Sequence, residues 1–185
     1  MHEAVTRTST SGSVDKGELG RMINPEDWLT SYAPGYAALR RPEREAIAHF
    51  CLLWSLFEAQ KMANDANAKR ICDQVRQWEL QGALNIRLFE KPLAYFRNRY
   101  FSHNEFTYHF HGLNFRPHDR QPVVESVLSG ANHNAGVVVT ALLLIAYRLR
   151  NNLFHGVKWG DELREQEANF KNANLVLMRA LEIER

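Results

Sequence analysis

The sequence predicts an all-α protein, an up-and-down helical bundle, and three observations lead there. Apolar residues recur at helical spacing over long stretches, as in Ile47, Phe50, Leu53, Trp54 and Phe57. The most apolar run of the chain, residues 136–146, leads without a break into a polar segment at 147–158. Strand-like alternation is confined to residues 105–116, and no internal repeat is visible. At 185 residues, the chain is expected to fold as one domain over 21–185 and to bury most of its apolar surface.

Taken in order, residues 1–20 are rich in Ser, Thr and Gly without periodicity and are expected to form a flexible tail. Asn24-Pro25-Glu26-Asp27 has the form of a helix start, with Asn as cap, Pro at the first position and acids in the first turn. Pro34-Gly35 should break that helix. The clearest helix is 42–63, opened by Pro42-Glu43 and carrying Phe50, Trp54 and Phe57 on a core face. Glu58 follows that face; it reads as a solvated acid, with an inward turn at the edge of the face as the other option.

A second long helix spans 66–81, with Ile71, Val75 and Trp78 as its stripe and Gly82 as its stop. A third covers about 91–101. Between 105 and 116, Phe106, Tyr108 and Phe110 alternate with Thr107, His109 and His111, which suggests a short irregular or hairpin insertion that Gly112 turns back. A short helix over 121–129 follows Pro122, and Asn134 is a candidate cap for the oily helix from 135. The last helix, 161–183, starts at Asp161 and carries Leu163, Phe170, Leu175, Leu177 and Leu181.

Composition narrows the function classes. A formal charge of +2 does not mark a nucleic-acid binder by bulk electrostatics, so any RNA contact must come from a local patch. Cys51 and Cys72 stand in apolar surroundings without metal-ligand spacing and read as reduced thiols. The start shows no hydrophobic signal region, and the longest apolar run reads as too short to span a bilayer. A cytoplasmic protein without a membrane span is expected.

The segment Tyr147-Arg-Leu-Arg-Asn-Asn-Leu-Phe-His-Gly-Val-Lys158 carries the chemistry. Arg150, Asn151 and His155 combine a guanidinium, an amide and an imidazole, a set suited to phosphate. On a continuous helix, Arg150 and His155 lie about 140° apart, while Asn151 and His155 share a face. Leu153 and Phe154 should point back and hold the helix on the core. The spacing alone is weak, because Arg97-Asn98 precedes His103 in a similar way. That earlier copy lacks an apolar helix ahead of it and reads as a packing and surface segment; the other option is that it lines an RNA path, with Tyr95, Tyr100 and Phe101 available for base stacking. His103, His109, His111 and His118 lack ligand pairs at metal spacing, so no metal and no cofactor is expected.

With its apolar lead-in, Gly156 and a final helix behind it, the segment 147–158 resembles the signature of the HEPN superfamily (higher eukaryotes and prokaryotes nucleotide-binding). Phe50–Glu58 is similar to that family's core helix in a subgroup of bacterial proteins, and the resemblance covers about 42–183. It implies a helical bundle of HEPN type that acts as a homodimer and cleaves RNA without a metal. Arg150, Asn151 and His155 would be catalytic, and Arg148, Asn152 and Lys158 would contact flanking phosphates. It also implies a role in defence, stress or toxin systems, with an antitoxin or regulatory protein as a partner. One departure bears on that partner: Val157 stands where nucleotide-modified toxins of the family carry Tyr, which argues against control by modification there. The alternative is a non-catalytic HEPN module that binds nucleotide or a partner protein.

Overall fold

The computed structural model describes residues 24–154 and 166–184. The tail 1–20, the expected helix start at Asp161, and His155, Gly156 and Lys158 lie outside the described residues. Nine α-helices and one two-stranded hairpin make up the described part, so the fold is an all-α bundle.

Local chemistry starts and stops the helices. Helix α1 (Pro25–Tyr32) begins where the Asn24 Oδ1 accepts the Glu26 N–H at 2.9 Å. It ends because Ala33, preceding Pro34, is forced extended. Pro34 then opens a separate turn, α2 (Pro34–Ala37), rather than only breaking the chain. Helix α3 (Arg41–Lys61) starts with the Glu43 carboxylate accepting the Arg40 backbone N–H at 2.9 Å. Helix α4 (Ala68–Leu80) is capped by Asn67, whose Oδ1 accepts the Arg70 N–H at 3.0 Å. Gly82 at φ 68° stops it, in a conformation that costs a side chain-bearing residue energy.

A 3-10 turn, Ile86–Phe89, unannounced by the periodicity, feeds α5 (Glu90–Tyr100). Strands β1 (Phe101–Ser102) and β2 (Glu105–Phe106) then pair antiparallel. The hairpin therefore lies earlier than the alternating segment suggests. His103 and Asn104 both adopt left-handed φ, at 52° and 61°, which is the geometry of a tight two-residue turn. Residues 108–111, part of the expected irregular or hairpin insertion, form the helical turn α6 (Tyr108–His111) despite their strand-like alternation, burying Phe110 and leaving Tyr108 exposed.

Helix α7 (Gln121–Leu128) leads to α8 (Ala135–Phe154). Asn134 caps α8 through its Oδ1, which accepts the Val137 N–H at 3.0 Å. Asn134→Ala is expected to cost about 1 kcal/mol of stability, read as a lower urea midpoint with an unchanged slope. Helix α9 (Glu167–Glu182) closes the described chain.

At 20 residues, α8 is by length and composition alone apolar enough to cross a bilayer, although its strictly apolar run, 136–146, is shorter. Yet 78% of its apolar window is buried inside the bundle, so it serves as the core helix. It packs against α4, α7 and α9, while α3 packs mainly on α9. Phe50 meets Phe170 at 5.1 Å between ring centroids, and the Asn174 Nδ2 donates to the Ala46 carbonyl at 3.0 Å, fastening α9 to α3. Phe50, Phe57, Trp78 and Phe96 are fully buried, each contributing about 1.5–3 kcal/mol by leaving water. Cys51 and Cys72 are free thiols, and burial raises both above their ordinary pKa.

Candidate functional site at the end of helix α8

The polar residues that end α8 divide between two sides of the helix. Residues 148 and 150 differ by two steps of about 100°, so they face nearly opposite directions. One of them builds the frame and the other opens to solvent.

Arg148 turns into the bundle, where it is 2% exposed. Its Nη1 donates to the Asp119 Oδ2 at 2.8 Å and its Nε to the Leu113 carbonyl at 3.0 Å. Its Nη2 reaches the Asn152 Oδ1 at 3.4 Å. Asn152, four residues on and therefore on the same face, donates its Nδ2 to the carbonyls of Gly112 and Leu113 at 3.1 and 3.2 Å. Asp119 also accepts the Arg116 N–H at 2.8 Å. This network fastens the 112–119 loop to α8. Burial lowers the pKa of the Arg148 guanidinium and the charge of Asp119 opposes that shift. Arg148 and Asn152 thus depart from the expectation that they contact flanking phosphates, because their polar atoms are turned inward and spent on the fold.

Arg150 lies on the other side. Its guanidinium carbon stands 6.0 Å from the Trp54 ring centroid and 5.5 Å from that of Phe154. Its Nη1 donates to the Asn151 Oδ1 at 3.0 Å, and its Nη2 is 3.8 Å from the Glu58 Oε2. That last distance is an ion pair without a hydrogen bond. The Nε is buried and has no partner, although the side chain as a whole is 31% exposed. Asn151 is buried, so its amide fixes Arg150 and does not face solvent.

Glu58 is drawn inward rather than solvated. Its Oε2 accepts the Trp54 Nε1–H at 3.0 Å and its Oε1 accepts the Ala66 N–H at 3.1 Å. The carboxylate therefore joins the end of α3 to the approach of α4 and only secondarily faces Arg150. Its position at the edge of the aromatic face of α3 was the one signal in the sequence for this role. Asp119 had no comparable signal; it lies in a loop and meets Arg148 only through the tertiary fold.

Leu153 holds α8 on the core, as its position implies, but Phe154 does not. Four residues after Arg150, its ring falls on the outer face, beside the guanidinium, and is 58% exposed. His155 and Lys158 lie outside the described residues.

The earlier Arg–His copy is dispersed over different structures. The Arg97 Nε donates to the Val127 carbonyl at 3.0 Å, serving the end of α7. His103 stands exposed on the hairpin turn, 2.9 Å from the Ser102 Oγ. Tyr100 is buried, stacked on Phe96 and bonded through its hydroxyl to the Asn169 Oδ1 at 3.0 Å, so it offers no face to a base. Burial raises its phenol pKa far above the ordinary value. Among the described residues, no three His, Cys, Asp or Glu side chains are placed to hold a metal ion.

No family model, no curated protein and no solved structure matches the chain.

Proposed function

We propose that the chain is a metal-independent endoribonuclease of HEPN type, working as a homodimer with the α8 end of each copy at a shared cleft. One observation carries the reading. Arg150 is the arginine of the segment that the bundle leaves half-open, its side chain 31% exposed and its counter-ion no closer than 3.8 Å. Such a guanidinium retains hydrogen-bonding capacity for an incoming phosphate. Arg148, by contrast, has spent its donors within the fold.

In this reading the ribose 2′-OH attacks the adjacent phosphorus. The 2′-O–P bond forms, the P–O5′ bond breaks, and the products are a 2′,3′-cyclic phosphate and a 5′-OH. One His155 takes the 2′-OH proton, and the His155 of the second copy gives a proton to the leaving O5′. Arg150, steadied by Asn151 on one side and by the Trp54 and Phe154 rings on the other, stabilises charge on the non-bridging oxygens. Lys158 supplies a further cation for a neighbouring phosphate. A defence, stress or toxin setting, with an antitoxin or regulatory partner, belongs to the same proposal.

The burial of Arg148 and Asn152 favours a second reading, a non-catalytic module that binds nucleotide or a partner protein, because it removes two expected RNA contacts. One assay separates the two. Purified protein is incubated with an RNA panel in EDTA, beside His155→Ala, and the cut ends are analysed. The nuclease reading expects 2′,3′-cyclic phosphate ends from the wild type and a loss of about 10²–10⁴-fold in the variant. Equal cutting by both, or none by either, sinks it.

A further inference from the structure

Beside the Arg150 site lies an apolar cavity of about 370 Å³. Tyr36, Leu39, Ile47, Cys51, Leu153 and Phe154 line it. Phe154 belongs to both places, since its ring also stands 5.5 Å from the Arg150 guanidinium carbon. One cation shares the lining, Arg44. Its Nη1 is paired with the Glu26 Oε1 at 2.9 Å and its guanidinium lies over the Tyr36 ring at 4.4 Å. The buried Arg44 Nε has no hydrogen-bond partner.

These features select among ligand chemistries. Apolar and aromatic walls, Tyr36 and Phe154 among them, suit a flat ring system. A base is also tethered to phosphate through a single sugar, and the cavity is joined through Phe154 to the cation read above as the phosphate ligand. An acyl chain would match the walls but would make no use of the half-exposed Arg150 guanidinium beside them. We propose that this cavity receives an unstacked nucleobase of the RNA whose phosphate lies at Arg150. The chain then grips a base and a phosphate together, which directs it to single-stranded RNA. The inference rests on the reading of Arg150 as the phosphate ligand.

The test titrates the full chain in a calorimeter with inorganic phosphate and with 3′- and 5′-nucleoside monophosphates of the four RNA bases. Two variants are compared with the wild type. Ala48 is exposed and lines the cavity, so Ala48→Phe fills the space without displacing a core residue. Arg150→Gln removes the phosphate contact. At least one nucleotide should bind about tenfold more tightly than inorganic phosphate. Ala48→Phe should erase that advantage and leave phosphate affinity unchanged, whereas Arg150→Gln should weaken both ligands.

Nucleotides that bind no better than phosphate, or an advantage that survives in Ala48→Phe, overturn the inference. A change of oligomeric state in Ala48→Phe, read by light scattering, also overturns it, since the cavity is then an interface between copies. A different pattern separates the underlying reading from this one. If Arg150→Gln leaves every affinity unchanged while Ala48→Phe still abolishes nucleotide binding, the phosphate role of Arg150 fails and the base cavity stands.

Discussion

Asp119→Ala is expected to destabilise the fold by about 3–5 kcal/mol, because it leaves the Arg148 charge buried without its counter-ion. The pair is 2.8 Å long, with the two side chains 2% and 8% exposed, so bulk solvent does not screen the charge that is left. The same substitution removes the acceptor of the Arg116 N–H. Chemical denaturation of the variant beside the wild type reads the loss. The double variant Arg148→Met with Asp119→Leu should recover much of it, since no unpaired charge remains and the Leu113 carbonyl keeps the Asn152 Nδ2. Recovery should be incomplete, because the Arg116 N–H stays unpaired. A single variant that is as stable as the wild type would show that the buried network contributes nothing to the fold.

Arg150→Ala should behave in the opposite way. The ion pair with Glu58 is long and both partners are partly exposed, so it is worth at most about 1 kcal/mol. The ring contacts with Trp54 and Phe154 add a similar small amount. Loss of the guanidinium from the proposed reaction should instead lower RNA cleavage by about 10²–10³-fold. Arg150→Lys should recover little of it, because an ammonium lacks the planar fork that holds two phosphate oxygens. Cleavage kinetics and a thermal melt on the same preparations check both halves. An Arg150→Ala enzyme of full activity would end the nuclease role assigned to this side chain.

The two arginines show where reading the residues succeeds and where it stops. That α8 is a helix, that it is oily, and that Asn134 caps it follow from local features, namely apolar content, spacing and an amide three residues ahead of a backbone N–H. Asn24 and Gly82 act in the same local way. The hairpin lies ahead of the alternating segment, and its turn, His103-Asn104, gives a weaker signal than the alternation that follows it. Residues 108–111 alternate like a strand, but Thr107 opens a helical turn there, and the burial of Phe110 suits that turn equally well.

By itself, then, the chain's order of residues determined the long helices, the Asn24 and Asn134 caps and the polar segment that closes the core helix. Only the tertiary structure decided which of two chemically identical side chains, two positions apart, belongs to the frame. Arg148 is committed because the 112–119 loop brings a carboxylate and a carbonyl to it from across the fold. Arg150 stays half-open because Glu58, the acid on its side, already serves Trp54 and the Ala66 N–H. The physical reason is that helix periodicity assigns each residue a direction but is silent about which partners wait there.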